Sequence, residues 1–137
     1  MKVLILGCGS LSANLVEDLS GKDNEITVLG DDREYLEKID SYIDVRVVLT
    51  AEPIMQDYLQ EGNIDHCDVF LAISDDDHQN ILVSQIAKCI YNVPKVICHL
   101  DSPQLQVMYA ALGLDVIGSS FGLLQDIRQV IRRTTQA

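Results

Sequence analysis

The segment Gly7-Cys8-Gly9-Ser10-Leu11-Ser12 follows an apolar run at positions 3–6. It is one residue short of G-x-G-x-x-G. In that turn a first glycine lets the chain bend sharply. A second, having no side chain, lets a pyrophosphate approach the backbone at a helix N-terminus. Gly7 and Gly9 occupy those two places, and Ser12 stands at the third, where helix and strand pack closely. A serine there adds little bulk. Gly7, Cys8, Gly9, Ser10 and Leu11 are therefore candidates for phosphate contact. A tight turn with no ligand has the same pattern, so the assignment needs companions elsewhere in the chain.

Two clusters fall where companions belong. An acid at the end of the second strand, about 20 residues on, ordinarily bonds the ribose hydroxyls. Here the apolar run 26–29 ends in Gly30, and the acids that follow are Asp31 and Asp32. Both also suit a helix start; capping is favoured for Asp32, while Asp31 stays open between cap and ribose. Arg33 suggests a 2′-phosphate contact, which two adjacent aspartates oppose by repulsion. Without a carboxylate at position 30, ribose recognition lacks a charge-assisted hydrogen bond of ~1.5–3 kcal/mol, and Gly30→Asp is expected to tighten binding. The second cluster is Ser74-Asp75-Asp76-Asp77-His78-Gln79-Asn80. The helix dipole accounts for Asp76 and Asp77. Ser74 and Asp75 are candidates for a distal ribose or a phosphate-bound cation. His99 closes the fifth apolar run, where a satisfied structural histidine is the commoner case. No positioned general base is evident, so no catalytic residue is assigned.

Strands and helices must hold these residues at their seams. Apolar runs at 3–6, 26–29, 45–49, 69–73, 96–100 and 116–117 predict six strands. Helical patterns lie between them: 11–21 with Leu11, Leu15 and Leu19 in step, 31–42, 53–62 from Pro53, 77–91, and 103–113 with Ser102 capping and Pro103 first. A last helix over about 120–133 carries Leu123, Leu124, Ile127, Val130 and Ile131 as one stripe, which either covers the sheet or joins a second copy. Strict alternation predicts a parallel six-stranded sheet with helices on both faces. The expected fold is a doubly wound, three-layer α/β/α single domain over 1–137, with its ligand at the carboxyl ends of the strands.

Composition narrows the function classes. With 21 acidic and 10 basic residues, the formal net charge is −11, which argues against nucleic acid or an anionic membrane as a direct partner. There is no Trp and only two Phe, so no platform stacks single-stranded bases. Cys8, Cys67, Cys89 and Cys98 form no C-x-x-C pair and read as free thiols of a reducing cytosol. Together with His66, His78 and His99 they show no zinc-like spacing, so no metal is expected. No apolar run approaches the ~18 residues of a membrane span, so a soluble, cytoplasmic protein without direct membrane insertion is expected.

The stretches MKVLILGCGSLSANLVEDLS, EITVLGDDREYLEKI, DVRVV, DVFLAISDDDHQNILVSQIAK and VPKVICHLDSPQLQVMYAALGLDVIGSS, in that order, resemble the TrkA-N domain. This is the Rossmann-like nucleotide-binding module of RCK proteins, the regulators of potassium conductance. The resemblance implies a cytoplasmic regulatory subunit or domain at the inner face of the membrane, partnered by an integral-membrane potassium transporter. It implies a homodimer or higher ring, with the terminal helix contributing. The implied ligand is NAD(H) first, with ATP, ADP or AMP as alternatives. Gly7, Gly9, Ser74, Asp75 and Asn80 match the family pattern. Ser12 and Gly30 depart from its glycine and acid, Thr50 and Ala51 stand in its adenine-side loop, and His99 replaces a frequent basic residue. Two other readings follow: a degenerate assembly module that binds no nucleotide, and last an NAD-dependent oxidoreductase, for which a substrate domain is missing.

Overall fold

The computed structural model describes residues 1–42, 44–50, 56–118 and 131. Its elements are β1 (Lys2–Leu6), α1 (Ser10–Leu19), β2 (Glu25–Gly30), α2 (Arg33–Ile39), β3 (Val45–Leu49), α3 (Gln56–Glu61), β4 (Val69–Ala72), α4 (Asp77–Cys89), β5 (Lys95–Leu100), α5 (Pro103–Ala111) and β6 (Asp115–Gly118). A short 3-10 turn, Ile64–His66, leads into β4 and was not foreseen in the sequence. The expected helix 53–62 is described only from Gln56, and Pro53 lies outside the described residues.

All six strands are parallel, in the order β3-β2-β1-β4-β5-β6. This is the Rossmann-like, doubly wound α/β sheet. The order reverses between β1 and β4, and a crevice opens at their carboxyl ends, at Gly7 and Ser74. Alternation along the strands sorts the core. Val3, Ile5, Val28 and Leu71 face α1 and α2, packing with Leu15, Val16, Leu36 and Ile39. Leu4, Leu6, Leu29 and Phe70 face the other way, toward Leu59 of α3 and Val83 and Ala87 of α4. Strands β1 and β4 are thus buried on both sides, which is why they read as unbroken apolar runs.

The caps set the helix starts. Asp32 accepts from the Tyr35 N–H, Asp76 from those of His78 and Gln79, and Ser102 from that of Leu105. Helix α2 is therefore shorter than the expected 31–42: Asp32 precedes it as a cap, and Asp31 lies outside it. The expected terminal helix lies outside the described residues except for Ile131, which is buried in the cluster facing α1.

Asp44 fastens the end of α1 to the start of β3. Its carboxylate accepts from the Gly21 N–H at 2.8 Å and from the Ser20 hydroxyl at 2.8 Å. The Gly21 amide first, and the Ser20 hydroxyl next, hold the Asp44 carboxyl below its usual pKa. A lowered folded pKa contributes stability that is complete above the unfolded value of about 3.9 and is lost as pH falls through the folded value. Urea midpoints should therefore show wild type exceeding Asp44→Asn at pH 7, with the gap closing below about pH 4. A gap independent of pH would assign the loss to something other than this carboxylate.

Candidate functional site

The crevice begins at a glycine that nothing else could replace. A Cβ on Gly7 would lie 2.9 Å from the carbonyl carbon and oxygen of Ile73 and from the Ser74 nitrogen, and Gly7 has φ +136°. The two strand ends therefore touch backbone to backbone. Gly9 also has a positive φ, +146°, but its missing Cβ faces open space. Gly9 occupies the N-cap position of α1, which has no side-chain cap and no acid in its first turn. Helices α2, α4 and α5 all have caps from their own side chains. The amino end of α1, with Ser10 exposed on it, is left free for an anion.

A cavity of about 210 Å³ adjoins this end, lined by Leu6, Gly7, Cys8, Gly30, Asp31, Asp32, Thr50, Ser74, Asp75 and Gln79. Eight of the expected site residues thus share one crevice. Gly9, Ser10, Leu11, Asn80 and His99 are not among its lining residues. Ala51 lies outside the described residues. Gln79 and Leu6 line the crevice unforeseen; Gln79 sits inside a quoted cluster but carries no spacing signal of its own. A larger hollow of about 450 Å³ opens at the other end of the strands, between Lys2, Thr27, Arg46 and Gly62. It adjoins the carboxyl end of α3, where the helix dipole disfavours phosphate.

Cys8 fills the crevice beside the end of β2. A Cβ on Gly30 would collide with the Cys8 sulfur, so the thiol occupies the room an acidic side chain at position 30 would need. Burial raises the Cys8 thiol above its ordinary pKa. The backbone at Asp32 opposes this shift, and the carboxylates of Asp32 and Asp31 add to it. The group is a neutral thiol at pH 7. Gly30→Asp therefore requires the Cys8 sulfur to turn aside before the new side chain reaches the crevice.

Ser74 and Asn80 form a closed unit. Asn80 Oδ1 accepts from the Ser74 N–H at 3.0 Å and from its hydroxyl at 2.6 Å. Asn80 Nδ2 donates to the carbonyls of Ser74 and His99, each at 2.9 Å. All four hydrogen-bonding positions of the amide are used. Asn80, fully buried, supports the crevice from behind rather than lining it. Asp75 is exposed at the mouth, and Asp77 is spent on the N–H groups of Asp101 and Ser102.

His99 stands on the face of β5 toward α1, level with Ile117 of β6. Both ring nitrogens are buried and make no hydrogen bond, with Nε2 3.4 Å from Asp101 Oδ1. An unsatisfied buried imidazole is costly and is the kind of group a ligand completes. Among the described residues, no three His, Cys, Asp or Glu side chains gather as a metal site, and all four cysteines are free thiols. No helix of the described residues is long and apolar enough to cross a membrane.

Residues 3–120 match the model of the TrkA-N domain. The chain belongs to the TrkA-N domain family. It is 30% identical over 104 residues to the Trk system potassium uptake protein TrkA of Vibrio alginolyticus, which covers 76% of this chain but 22% of that protein. The chain thus spans about a fifth of that relative's length. Its fold is that of the TrkA-N domain of the inner membrane protein ybaL from Escherichia coli, at a TM-score of 0.76 and 15% identity, covering 98% of this chain and 94% of that one. The Kef C-terminal domain of Shewanella denitrificans in its AMP-bound form superposes with a TM-score of 0.74 at 16% identity, over 99% of this chain and 81% of that one.

Against the family's third glycine, Ser12 has a positive role. It is buried, and its hydroxyl accepts from Tyr35 Oη at 2.8 Å, fastening α1 to α2 beside the crevice. Tyr35→Phe and Ser12→Ala should each cost about 1 kcal/mol in urea unfolding, and the double variant about as much as one alone. Strictly additive losses would show that the two hydroxyls act separately.

Proposed function

We propose that this TrkA-N domain senses an adenine nucleotide on behalf of a potassium uptake protein. The observation that carries the reading is the uncapped amino end of α1, opening through Gly9 beside a crevice at the sheet's switch point. Gly7, Cys8, Gly9, Ser10 and Leu11 would hold phosphates at that end. Asp31 and Thr50 would flank the adenosine half, Ser74 and Asp75 the distal half. His99, with both nitrogens unsatisfied, is the group a phosphate or ribose oxygen would complete. The cavity is smaller than the 300 Å³ and more common for ligand sites, so the ligand would lie partly along the α1 terminus rather than wholly inside it. NAD(H) is the first candidate, then ATP, ADP or AMP. The partner would be an integral-membrane transporter, with the domain on its cytoplasmic side and assembled as a dimer or ring, a reading supported by relatives named as potassium uptake proteins.

Binding would regulate through differential affinity, the ligand favouring one arrangement of the assembly over another. Catalysis is not part of this reading: Cys8 is held neutral. A second reading, an assembly module without nucleotide, is favoured by one feature. The carboxylates of Asp31, Asp32 and Asp75 line the crevice and repel phosphate.

Thermal unfolding with NADH, NAD, AMP, ADP and ATP separates the two. A ligand at 100 times its dissociation constant adds about 2.7 kcal/mol, which moves the midpoint by several degrees. No shift with any of the five at millimolar concentration would leave the assembly reading. The Cys8–Gly30 collision gives a second expectation. Gly30→Asp alone should not improve NADH affinity, whereas Cys8→Ala/Gly30→Asp should tighten it roughly ten-fold, the gain of one charge-assisted hydrogen bond. Calorimetry in which the single variant already binds tighter would overturn this account of the ribose side.

A further inference from the structure

The hollow at the amino ends of β1, β2 and β3 holds about 450 Å³, within the range of small-molecule sites. Side chains alternate along a strand, so the residues that line it sort by face. Val3, Ile26 and Val45 belong to the cluster facing α1 and α2. Lys2, Glu25, Thr27 and Arg46 alternate with them and point to the face that carries α3. Register sets Lys2 beside Glu25 and Thr27 beside Arg46, with neighbouring strands ~4.8 Å apart. Across β1, β2 and β3 the charges therefore run plus, minus, plus. Among the described residues none of the three is in an ion pair, although Lys2 and Glu25 are neighbours.

Thr27 adds an unmet donor. It is 7% exposed, and its hydroxyl has no hydrogen-bond partner among the described residues. A buried hydroxyl in that state is costly unless something in the cavity completes it. Gly62 and Asn63, which follow α3, close the hollow from the other side, with Gly62 against Leu4. The carboxyl end of α3 and Glu25 suit a cation. Arg46, Thr27 and Lys2 suit carboxylates, which a guanidinium takes in bidentate form. Asp44 also lines the hollow, but its carboxylate is spent on Gly21 and Ser20. The complementary ligand carries minus, plus, minus: two carboxylates with an ammonium between them. We infer that the hollow binds an acidic amino acid, with one carboxylate on Arg46 and Thr27, the other on Lys2, and the ammonium on Glu25. A plain dicarboxylate is a poorer fit, because Glu25 and the α3 end repel it. The site lies at the opposite end of the strands from the crevice, and the inference does not depend on nucleotide binding.

Lys2, Glu25 and Arg46 are exposed, so their contacts are screened by water and salt and the affinity is modest. Amide nitrogen–proton spectra recorded as sodium L-glutamate is added, at constant ionic strength and without nucleotide, should show saturable shifts at Thr27, Arg46 and Asn63. The dissociation constant should be on the order of 1 mM. Glutarate, which keeps both carboxylates and lacks the ammonium, should bind several-fold more weakly. Arg46→Gln, at an exposed position, should weaken glutamate binding roughly ten-fold with an unchanged circular dichroism spectrum. Thr27→Val, which keeps the shape of the side chain, should weaken it several-fold. Glu25→Gln should remove the preference for glutamate over glutarate. The absence of saturable shifts up to about 50 mM glutamate overturns the inference. So does glutarate binding the wild type as tightly as glutamate, or shifts confined to Gly7, Gly9 and Ser74 at the other end of the sheet.

Discussion

A single buried amide holds the working end of this sheet in shape. Asn80 lies in the first turn of α4, yet its side chain binds both the N–H and the carbonyl of Ser74, where β4 ends, and the carbonyl of His99, where β5 ends. Removing it would strand several backbone groups without water, each worth about 1–3 kcal/mol. The consequences reach across the switch point. Because Ser74 is fixed, the backbone of Gly7 can lie against it with no room for a side chain. Because Gly7 is fixed, α1 starts where its free N–H groups face the crevice. The phosphate end of the candidate site is thus a product of backbone packing, supported from behind by one polar side chain.

The adenosine side is built on a different principle, competition for space. The sheet brings the ends of β1 and β2 side by side, and Cys8 projects over Gly30. One volume is available there, and a neutral thiol fills it. Charge in the crevice consequently comes from Asp31, Asp32 and Asp75, none of which sits where a strand end would aim it at a ribose. Asp32 is further committed to the Tyr35 N–H. The two ends of the crevice are thus shaped by different means, backbone packing at one and side-chain volume at the other.

The architecture was legible because its signals are local. Interior strands are unbroken apolar runs, and helices begin at Asp32, Asp76 and Ser102-Pro103, where cap chemistry is written in two or three adjacent residues. Local rules also favoured Asp32 as a cap but left Asp31 open, and the structure shows Asp32 capping with Asp31 outside the helix. What was not legible depends on residues far apart in the chain. Ser12 looked like a tolerated loss of glycine until Tyr35, on the next helix, was seen to bond it. Asn80 looked like a ligand contact, and only the meeting of β4 with β5 shows it as a brace.

The contact between positions 8 and 30 also bears on how such a site changes over descent. A side chain at position 30 requires the sulfur of Cys8 to turn aside, so the two positions are coupled. A lineage that gained the acid first would pass through a strained intermediate, whereas one that lost the sulfur first would pass through a small void, the milder of the two defects. The permitted path between a thiol-filled and an acid-bearing crevice therefore has a direction, shrinking residue 8 before enlarging residue 30. Among relatives, these two positions are expected to change as a pair even though 21 residues separate them in the chain.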